Sequence, residues 1–152
     1  MTKDIVPIVD PSLKDPRIKT KFVEANGLRF EVDYCGTGPK LMLCLHGFPE
    51  HSFSWRYQLP MLADMGYTVW APNMRGYGLS SRPLRVADYR MEELIEDVYG
   101  LYEASGCSSL TILAHDWGAV IAWQYAMLKL SLIHISEPTR RTPISYAVFC
   151  LK

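Results

Sequence analysis

Two kinds of hydrophobic pattern follow one another along the chain. Residues 21–25 and 28–34 alternate between apolar and polar side chains, and Asn26-Gly27 joins the two runs. Such alternation on either side of an Asn-Gly pair predicts a β-hairpin with one face exposed to solvent. Three later runs are almost entirely apolar, at residues 41–45, 68–71 and 110–114. An unbroken apolar run indicates a strand that is buried on both faces of a parallel sheet.

Helical periodicity separates these runs. An apolar face at the spacing of a helix covers residues 91–102, with Asp88 as the expected N-cap and Gly106 as the expected stop. Residues 60–65 predict a shorter helix, and 119–128 are apolar nearly all round, as in a buried helix. A hairpin followed by strand–helix repeats predicts the α/β class, with an open and mostly parallel sheet.

Composition narrows the class of protein without identifying it. The 152 residues have a formal net charge of zero and a hydrophobic fraction of 49%, which suits one domain with its own core and gives no reason to expect a nucleic acid as partner. The four cysteines show no paired spacing of a metal site or disulfide framework. Neither a signal peptide nor a membrane span of ~20 apolar residues is recognisable. We therefore expect a cytoplasmic protein without metal or cofactor.

The segment Ala114-His115-Asp116-Trp117-Gly118 joins the third apolar run to the apolar helix. A sharp strand-to-helix elbow needs small residues two positions on either side of its central residue, and Ala114 and Gly118 supply them. The elbow would present Asp116 at a helix N-terminus, where negative charge is stabilised. Asp116 is therefore the candidate nucleophile, although an aspartate at such a junction can also be a simple N-cap. His115 is expected to pack beside the elbow.

A second motif, His46-Gly47-Phe48, directly follows the first apolar run. A glycine at this point allows a tight turn that aims the backbone N–H of Phe48 toward Asp116, and the N–H of Trp117 would be a second donor. Two such donors form an oxyanion hole. His46 is expected to hold the turn by hydrogen bonding rather than to act as a catalytic base.

Several short segments together match the pattern of one enzyme family. They are His46-Gly47-Phe48-Pro49-Glu50, Ser54-Trp55-Arg56-Tyr57-Gln58, Arg75-Gly76-Tyr77-Gly78, Ser80-Ser81 and His115-Asp116-Trp117-Gly118. Their combination resembles the soluble epoxide hydrolases of the α/β-hydrolase fold, over about residues 20–129. The chain would then hold the N-terminal half of that fold.

The resemblance implies a reaction in two steps. The Asp116 carboxylate attacks a ring carbon of a small hydrophobic epoxide and forms a covalent ester, while two tyrosines of a cap domain protonate the leaving oxygen. Water, activated by a histidine and an acid, then hydrolyses the ester to the diol. The oxyanion of the second step would lie between the N–H groups of Phe48 and Trp117.

Three positions depart from the family pattern. Ala114 replaces the usual glycine, which changes little. Asn73 and Leu79 stand where the family tends to aspartate. We expect the loss of a carboxylate at position 73 to weaken a structural pairing with Arg75.

The last part of the chain does not resemble a hydrolase. Residues 130–140 resemble the translation of a transposase-type sequencing adapter, and 144–151 resemble its flow-cell end. We therefore expect three segments: an irregular arm at 1–20, a partial hydrolase core at 21–129 and a non-native tail at 130–152. His134 is accordingly not expected to be the catalytic base. The coding DNA tests this interpretation, since a different codon path through the tail would contradict it.

Two other readings remain open at this point. Haloalkane and haloacid dehalogenases of the same fold form a similar aspartyl ester while expelling halide, and they differ mainly in cap residues. Alternatively, the chain is a non-catalytic fragment that folds poorly, because a sheet that stops after the elbow helix would leave an apolar edge strand bare. Under the leading reading the chain holds a nucleophile and is expected not to turn over epoxides.

Overall fold

A mixed β-sheet of six strands runs through the part of the chain that the structure, a computed structural model, describes: residues 13–129 and, as backbone only, 146–151. The strands are β1 (Lys19–Ala25), β2 (Leu28–Cys35), β3 (Lys40–Leu45), β4 (Tyr67–Pro72), β5 (Ser109–His115) and β6 (Tyr146–Leu151). Their order across the sheet is β1-β2-β4-β3-β5-β6. The central strands β4, β3 and β5 are parallel, as the apolar runs predict, and the outer strands pair antiparallel.

The β1–β2 hairpin forms where the sequence predicts it. Asn26 and Gly27 both have positive φ, 47° and 68°, and two such residues make the tight turn whose twist matches that of a hairpin. Because β2 then pairs antiparallel with β4, the sheet is mixed rather than mostly parallel.

Three helices accompany the sheet within the described residues: α1 (Gln58–Asp64), α2 (Met91–Ser105) and α3 (Trp117–Leu128). Gly106 ends α2 with a φ of 67°, as predicted. The prediction that Asp88 caps α2 is wrong, because the N-cap is Arg90 and Asp88 lies in a short 3-10 turn (Val86–Tyr89). The Asp88 carboxylate is occupied by the Arg85 guanidinium, at 2.7 and 3.1 Å.

Strand β3 explains why an unbroken apolar run is needed at the centre of the sheet. Its side chains alternate between two apolar layers: Leu41, Leu43 and Leu45 face the cluster that includes α2 and α3, and Met42 and Cys44 face the cluster with α1. All five are buried. The strand therefore has no solvent-facing side, and its carboxyl end delivers the next residues to the top of the sheet.

Both ends of the described chain differ from expectation. Strand β1 begins at Lys19 rather than after an irregular arm of 20 residues, and the segment before it is tied down by Lys14–Asp33 and Arg17–Asp64 ion pairs of 2.5 and 2.7 Å. Residues 1–12 lie outside the described part. No helix among the described residues is long and apolar enough to cross a membrane.

Strand β6 occupies the sheet edge that was expected to be bare. It pairs antiparallel with β5 from Leu110↔Leu151 to His115↔Tyr146. An edge strand offers unpaired N–H and C=O groups to any extended segment, so the pairing depends on the backbone of 146–151 and not on a family-specific sequence. The non-native origin of the tail stays a prediction, and His134 lies outside the described residues.

Candidate active site

Asp116 occupies the sharp turn between β5 and α3. Its φ of 54° and ψ of −121° make it one of two non-glycine residues with positive φ in the described chain, a conformation that costs energy and is concentrated at functional sites. The Asp116 carbonyl accepts the first helical N–H bonds, from Ala119 at 3.0 Å and Val120 at 3.3 Å. The carboxylate makes no capping hydrogen bond. The Asp116 side chain therefore does not act as an N-cap of α3.

Two glycines make room for this turn. A Cβ on Gly118 would collide with the carbonyl oxygens of Leu45 and His46, and one on Gly47 would lie 2.5 Å from the Asp116 Cβ and 2.8 Å from Oδ2. Real Cβ atoms do not approach other atoms this closely. The close approach of the β3 end to the elbow thus requires glycine at both positions.

Residues 46–52 form a loop, the 46–52 loop, that brings a backbone N–H donor to the Asp116 carboxylate. The N–H of Phe48 donates to Asp116 Oδ2 at 3.0 Å. Hydrogen bonds from the backbone N–H groups of Phe48 and then of Trp117 lower the pKa of Asp116 below its ordinary value, against the opposing effect of burial, and His115 contributes further in the same direction. The carboxylate is therefore ionised at neutral pH and faces two backbone donors.

His46 anchors the start of this loop. It is 1% exposed, its Nε2 accepts the N–H of Met74 at 3.0 Å, and its Nδ1 lies 2.9 Å from the Gly47 carbonyl oxygen. Nδ1 must donate to that carbonyl while Nε2 accepts, which is the neutral form of the ring. Burial lowers the pKa of His46 and so favours that form.

His115, the last residue of β5, lies beside the elbow and contacts Glu50. Its Nδ1 is 3.4 Å from Glu50 Oε2, and Ser54 Oγ donates to the same oxygen at 3.1 Å. His51 caps the short 3-10 turn (Ser52–Trp55) by accepting the N–H of Phe53 at 3.4 Å. All three described histidines therefore have polar partners.

The two residues whose backbone N–H groups face the carboxylate carry large aromatic side chains. Phe48 is 65% exposed and Trp117 is 57% exposed. The backbone N–H of Phe48 is hydrogen-bonded to Asp116, and Trp117 is the next residue in the chain. Large aromatic side chains exposed around a single polar group are typical of a surface that binds a small apolar molecule.

The expected link between position 73 and Arg75 does not exist. The Arg75 guanidinium instead binds Asp97 of α2 through Nε and Nη2, both at 2.6 Å, and both side chains are buried. Asn73 contacts Ser52 and Glu31. Sequence reasoning missed Asp97, although an acid three residues after Leu94 and four before Leu101, on the apolar side of a helix, is a sign of a buried partner.

Comparisons with known proteins agree with this architecture. Residues 40–136 match the family model of the alpha/beta hydrolase fold. The chain is 43% identical over 109 residues to epoxide hydrolase A of Mycobacterium tuberculosis, covering 71% of this chain and 34% of that protein. It is 44% identical over 101 residues to bifunctional epoxide hydrolase 2 of Sus scrofa, covering 66% and 18%. The chain thus spans about a third or less of the length of these relatives.

Solved structures give the same result. An epoxide hydrolase from Vigna radiata superposes with a TM-score of 0.72 at 32% identity, over 82% of this chain and 42% of that one. Epoxide hydrolase A from Mycobacterium thermoresistibile gives 0.72 at 37% identity, over the same shares. The similarity to epoxide hydrolases inferred from the sequence motifs is confirmed, and the chain belongs to the alpha/beta hydrolase fold family.

Proposed function

We propose that this chain carries the nucleophile of an epoxide hydrolase and that Asp116 opens the epoxide by forming an ester. The observation that carries the proposal is the elbow itself. An ionised carboxylate at positive φ receives the N–H of Phe48 at 3.0 Å and makes no capping bond to the helix that it begins. A carboxylate needs no general base to become a nucleophile.

The proposed first step forms one bond and breaks another. An Asp116 carboxylate oxygen attacks a ring carbon, the C–O bond of the epoxide breaks, and the ring oxygen leaves as an alkoxide that takes a proton from water. The product is a hydroxyalkyl ester that retains every atom of the epoxide. In the second step water attacks the ester carbonyl, and the N–H groups of Phe48 and Trp117 stabilise the oxyanion. Gly47, His46, His115 and Gly118 support this geometry without taking part in bond making.

The substrate that suits this surface is a small hydrophobic epoxide, and water is the second reactant. Phe48 and Trp117 offer exposed aromatic surface directly beside the nucleophile, and neither carries a charge that would attract an ionic substrate. Cytoplasmic location and the lack of a nucleic-acid partner stay predictions from composition.

We further propose that the 152-residue chain stops at the ester. Hydrolysis needs a histidine that can take a proton from water near the ester carbonyl. Among the described residues His46 is buried and bonded through both ring nitrogens, His51 caps a turn, and His115 contacts Glu50. His134 lies outside the described residues, in the tail whose non-native origin is predicted, and is not expected to supply this base. The ester is therefore expected to accumulate.

Mass spectrometry of the intact chain tests both proposals. Incubation with styrene oxide should add the full mass of one epoxide to the wild-type chain, with the modification on Asp116 and no steady release of diol. Asp116→Asn is the matched control, since asparagine can accept the Phe48 N–H and tolerates positive φ but is not a nucleophile.

Each outcome has a defined meaning. An adduct absent from wild type, or equally present on Asp116→Asn, would contradict nucleophilic attack by Asp116. Continuous diol formation would contradict only the arrest at the ester. If styrene oxide adds no mass to the chain but a haloalkane adds its alkyl group without the halogen, the result would favour a dehalogenase.

The pH dependence of ester formation should follow the ionisation of Asp116. Two backbone donors lower the pKa of this carboxyl below its ordinary value, and only the ionised form attacks. Since a depressed pKa keeps the carboxylate ionised until the pH falls below that value, the rate of adduct formation is expected to stay level from about pH 8 down to about pH 5. A fall in the rate of adduct formation at a pH above about 5, in chain that circular dichroism shows to be folded, would contradict this assignment.

A further inference from the structure

Asn73, directly after β4, is a buried polar residue that bonds the 46–52 loop through its side chain. It is 4% exposed. Its Oδ1 accepts the backbone N–H of Ser52 at 2.7 Å, and its Nδ2 donates to Glu31 Oε2 at 2.7 Å. Its backbone N–H donates to the Glu31 carbonyl at 2.8 Å, and its carbonyl accepts from Ser80 Oγ at 2.5 Å. One residue therefore joins three segments that are distant in sequence.

These bonds hold the far end of the loop that presents Phe48. The near end is fixed by His46, whose Nε2 accepts the N–H of Met74. The far end is fixed by Ser52, whose N–H is bound by Asn73. Residues 73 and 74 thus hold both ends of the 46–52 loop, and the Phe48 N–H lies between the two attachment points.

The side chain at position 73 has to accept one hydrogen bond and donate another. Ser52 N–H requires an acceptor, and the Glu31 carboxylate, which also accepts the Leu79 N–H at 2.8 Å, requires a donor. A neutral amide provides both, whereas an ionised carboxylate provides only acceptors. A Cβ on Gly78 would lie 2.7 Å from the Asn73 Cγ and from Glu31 Oε2, so the contact fills space that only a glycine at position 78 leaves.

We propose that Asn73 is a positioning residue, whose amide links the 46–52 loop to Glu31 and thereby keeps the Phe48 N–H aimed at Asp116. The expected effect of Asn73 on ester formation rests on the proposed function, whereas its effect on the position of Phe48 does not. Asn73 and Glu31 are then a matched pair, since the amide supplies the donor that the carboxylate needs.

The charged groups around this contact are few among the described residues. Glu31 faces Asn73 directly, and Asp33 is reached through the Ser52 hydroxyl, which donates to it at 2.9 Å. Lys14 neutralises Asp33 at 2.5 Å. On the other side stands His46, which is neutral. A second carboxylate at position 73 would therefore meet Glu31 without a cation in contact to offset it.

The test is the substitution Asn73→Asp, with and without Glu31→Gln. In Asn73→Asp two carboxylates lie within hydrogen-bond distance, so that one must hold a proton or the two must separate. At about pH 5 the protonated carboxyl at position 73 can still donate to Glu31, and the chain should behave nearly as wild type. At about pH 8 the Phe48 amide signal in a ¹H–¹⁵N spectrum should shift, and adduct formation with styrene oxide should slow on the order of tenfold or more.

The double variant should reverse both effects. In the native chain one oxygen, Glu31 Oε2, accepts both the Asn73 amide and the Leu79 N–H. In the double variant the glutamine Nε2 donates to the new carboxylate at position 73, and the amide turns so that its oxygen accepts the Leu79 N–H. The donor and acceptor of the native contact are then exchanged rather than lost. The Phe48 amide signal and the rate of adduct formation should therefore both return toward wild type.

Asn26→Asp is the matched control. Asn26 Nδ2 donates to the buried Asp97 at 2.9 Å, so this substitution also sets a carboxylate against a carboxylate, but at the hairpin tip and without contact with the 46–52 loop. It should lower the melting temperature and leave the Phe48 amide signal and the adduct rate of folded chain unchanged.

The outcomes separate the two proposals. A displaced Phe48 amide in Asn73→Asp, reversed by Glu31→Gln, supports the positioning role even if no variant reacts with the epoxide, in which case only the proposed function fails. An unmoved Phe48 amide in Asn73→Asp at the higher pH, or no recovery in the folded double variant, would overturn the positioning role.

Discussion

Replacing Gly47 with alanine is expected to reduce ester formation on Asp116 on the order of 100-fold while the fold persists. An alanine Cβ would lie 2.5 Å from the Asp116 Cβ, 2.8 Å from Oδ2 and 3.0 Å from Cγ. These atoms belong to the short nucleophile side chain, which has no flexible end that could swing away. Either the carboxylate or the 46–52 loop must shift, and the bond from Phe48 N–H to Asp116 is lost in both cases.

Gly100→Ala is the matched control for this substitution. Gly100 lies within α2, and a Cβ there would lie 3.1 Å from the backbone N of Asn26 and 3.2 Å from the Ala25 Cβ. The change tightens the packing of α2 on the hairpin and leaves the elbow untouched. The rate of adduct formation, measured by intact mass on chain of verified circular dichroism, should fall only for Gly47→Ala. Equal rates in the two variants would show that the close approach of residue 47 does not matter for the nucleophile.

Local patterns predicted those parts of the fold that depend on neighbours in sequence. Asn26-Gly27 predicted the hairpin because two adjacent residues have to adopt positive φ. The spacing of small residues around Asp116 predicted the elbow, although the atoms that a Cβ on Gly118 would meet belong to Leu45 and His46 of the distant β3 end. The unbroken run in β3 predicted burial on both faces. In each case the sequence signal is contained in a short segment.

The contacts that were missed are set by tertiary packing. Arg75 finds its carboxylate on Asp97, 22 residues away, and Asn73 pairs with Glu31 on β2, 42 residues away. Which acid meets which cation depends on how α2 lies against the sheet, and spacing does not contain that information. The pairing of β6 with the edge of β5 likewise follows from backbone groups left open by the fold.

The site was predictable to the same extent. Asp116, Gly47 and Gly118 could be selected because they stand in short motifs directly after buried strands, although the contacts that require the two glycines are long-range. The control of the 46–52 loop by residue 73 could not, since it needs Ser52 and Glu31 to converge from different elements. The structure therefore adds the attachments of the loop that presents the Phe48 N–H to Asp116.

Arg75→Met is expected to destabilise the chain by about 3–5 kcal/mol at neutral pH, because it leaves a buried carboxylate without its cation. Asp97 would retain only the Asn26 Nδ2 donor at 2.9 Å, and Arg75 also supplies hydrogen bonds to the carbonyl oxygens of Asp88 and Glu93. Burial already raises the pKa of Asp97 in the presence of Arg75, and it should rise further without it. A raised pKa in the folded state means that the folded chain binds more protons than the unfolded chain, so stability falls as pH rises.

The loss of stability in Arg75→Met should therefore be larger at about pH 8 than at about pH 5, as measured by urea unfolding followed by circular dichroism. The double variant Arg75→Met with Asp97→Leu removes both charges and should recover much of the stability, since apolar replacements of a buried ion pair are often neutral or better. Arg85→Met is the matched control, because Arg85 pairs with Asp88 at 2.7 Å with its side chain 80% exposed, and solvent-exposed pairs contribute little. If Arg75→Met and Arg85→Met cost the same, or if the loss did not depend on pH, the buried pair would not be what holds α2 against the end of β4. A large and pH-dependent loss of stability confined to Arg75→Met would show that this buried pair, which the linear sequence does not reveal, stabilises α2 against the end of β4.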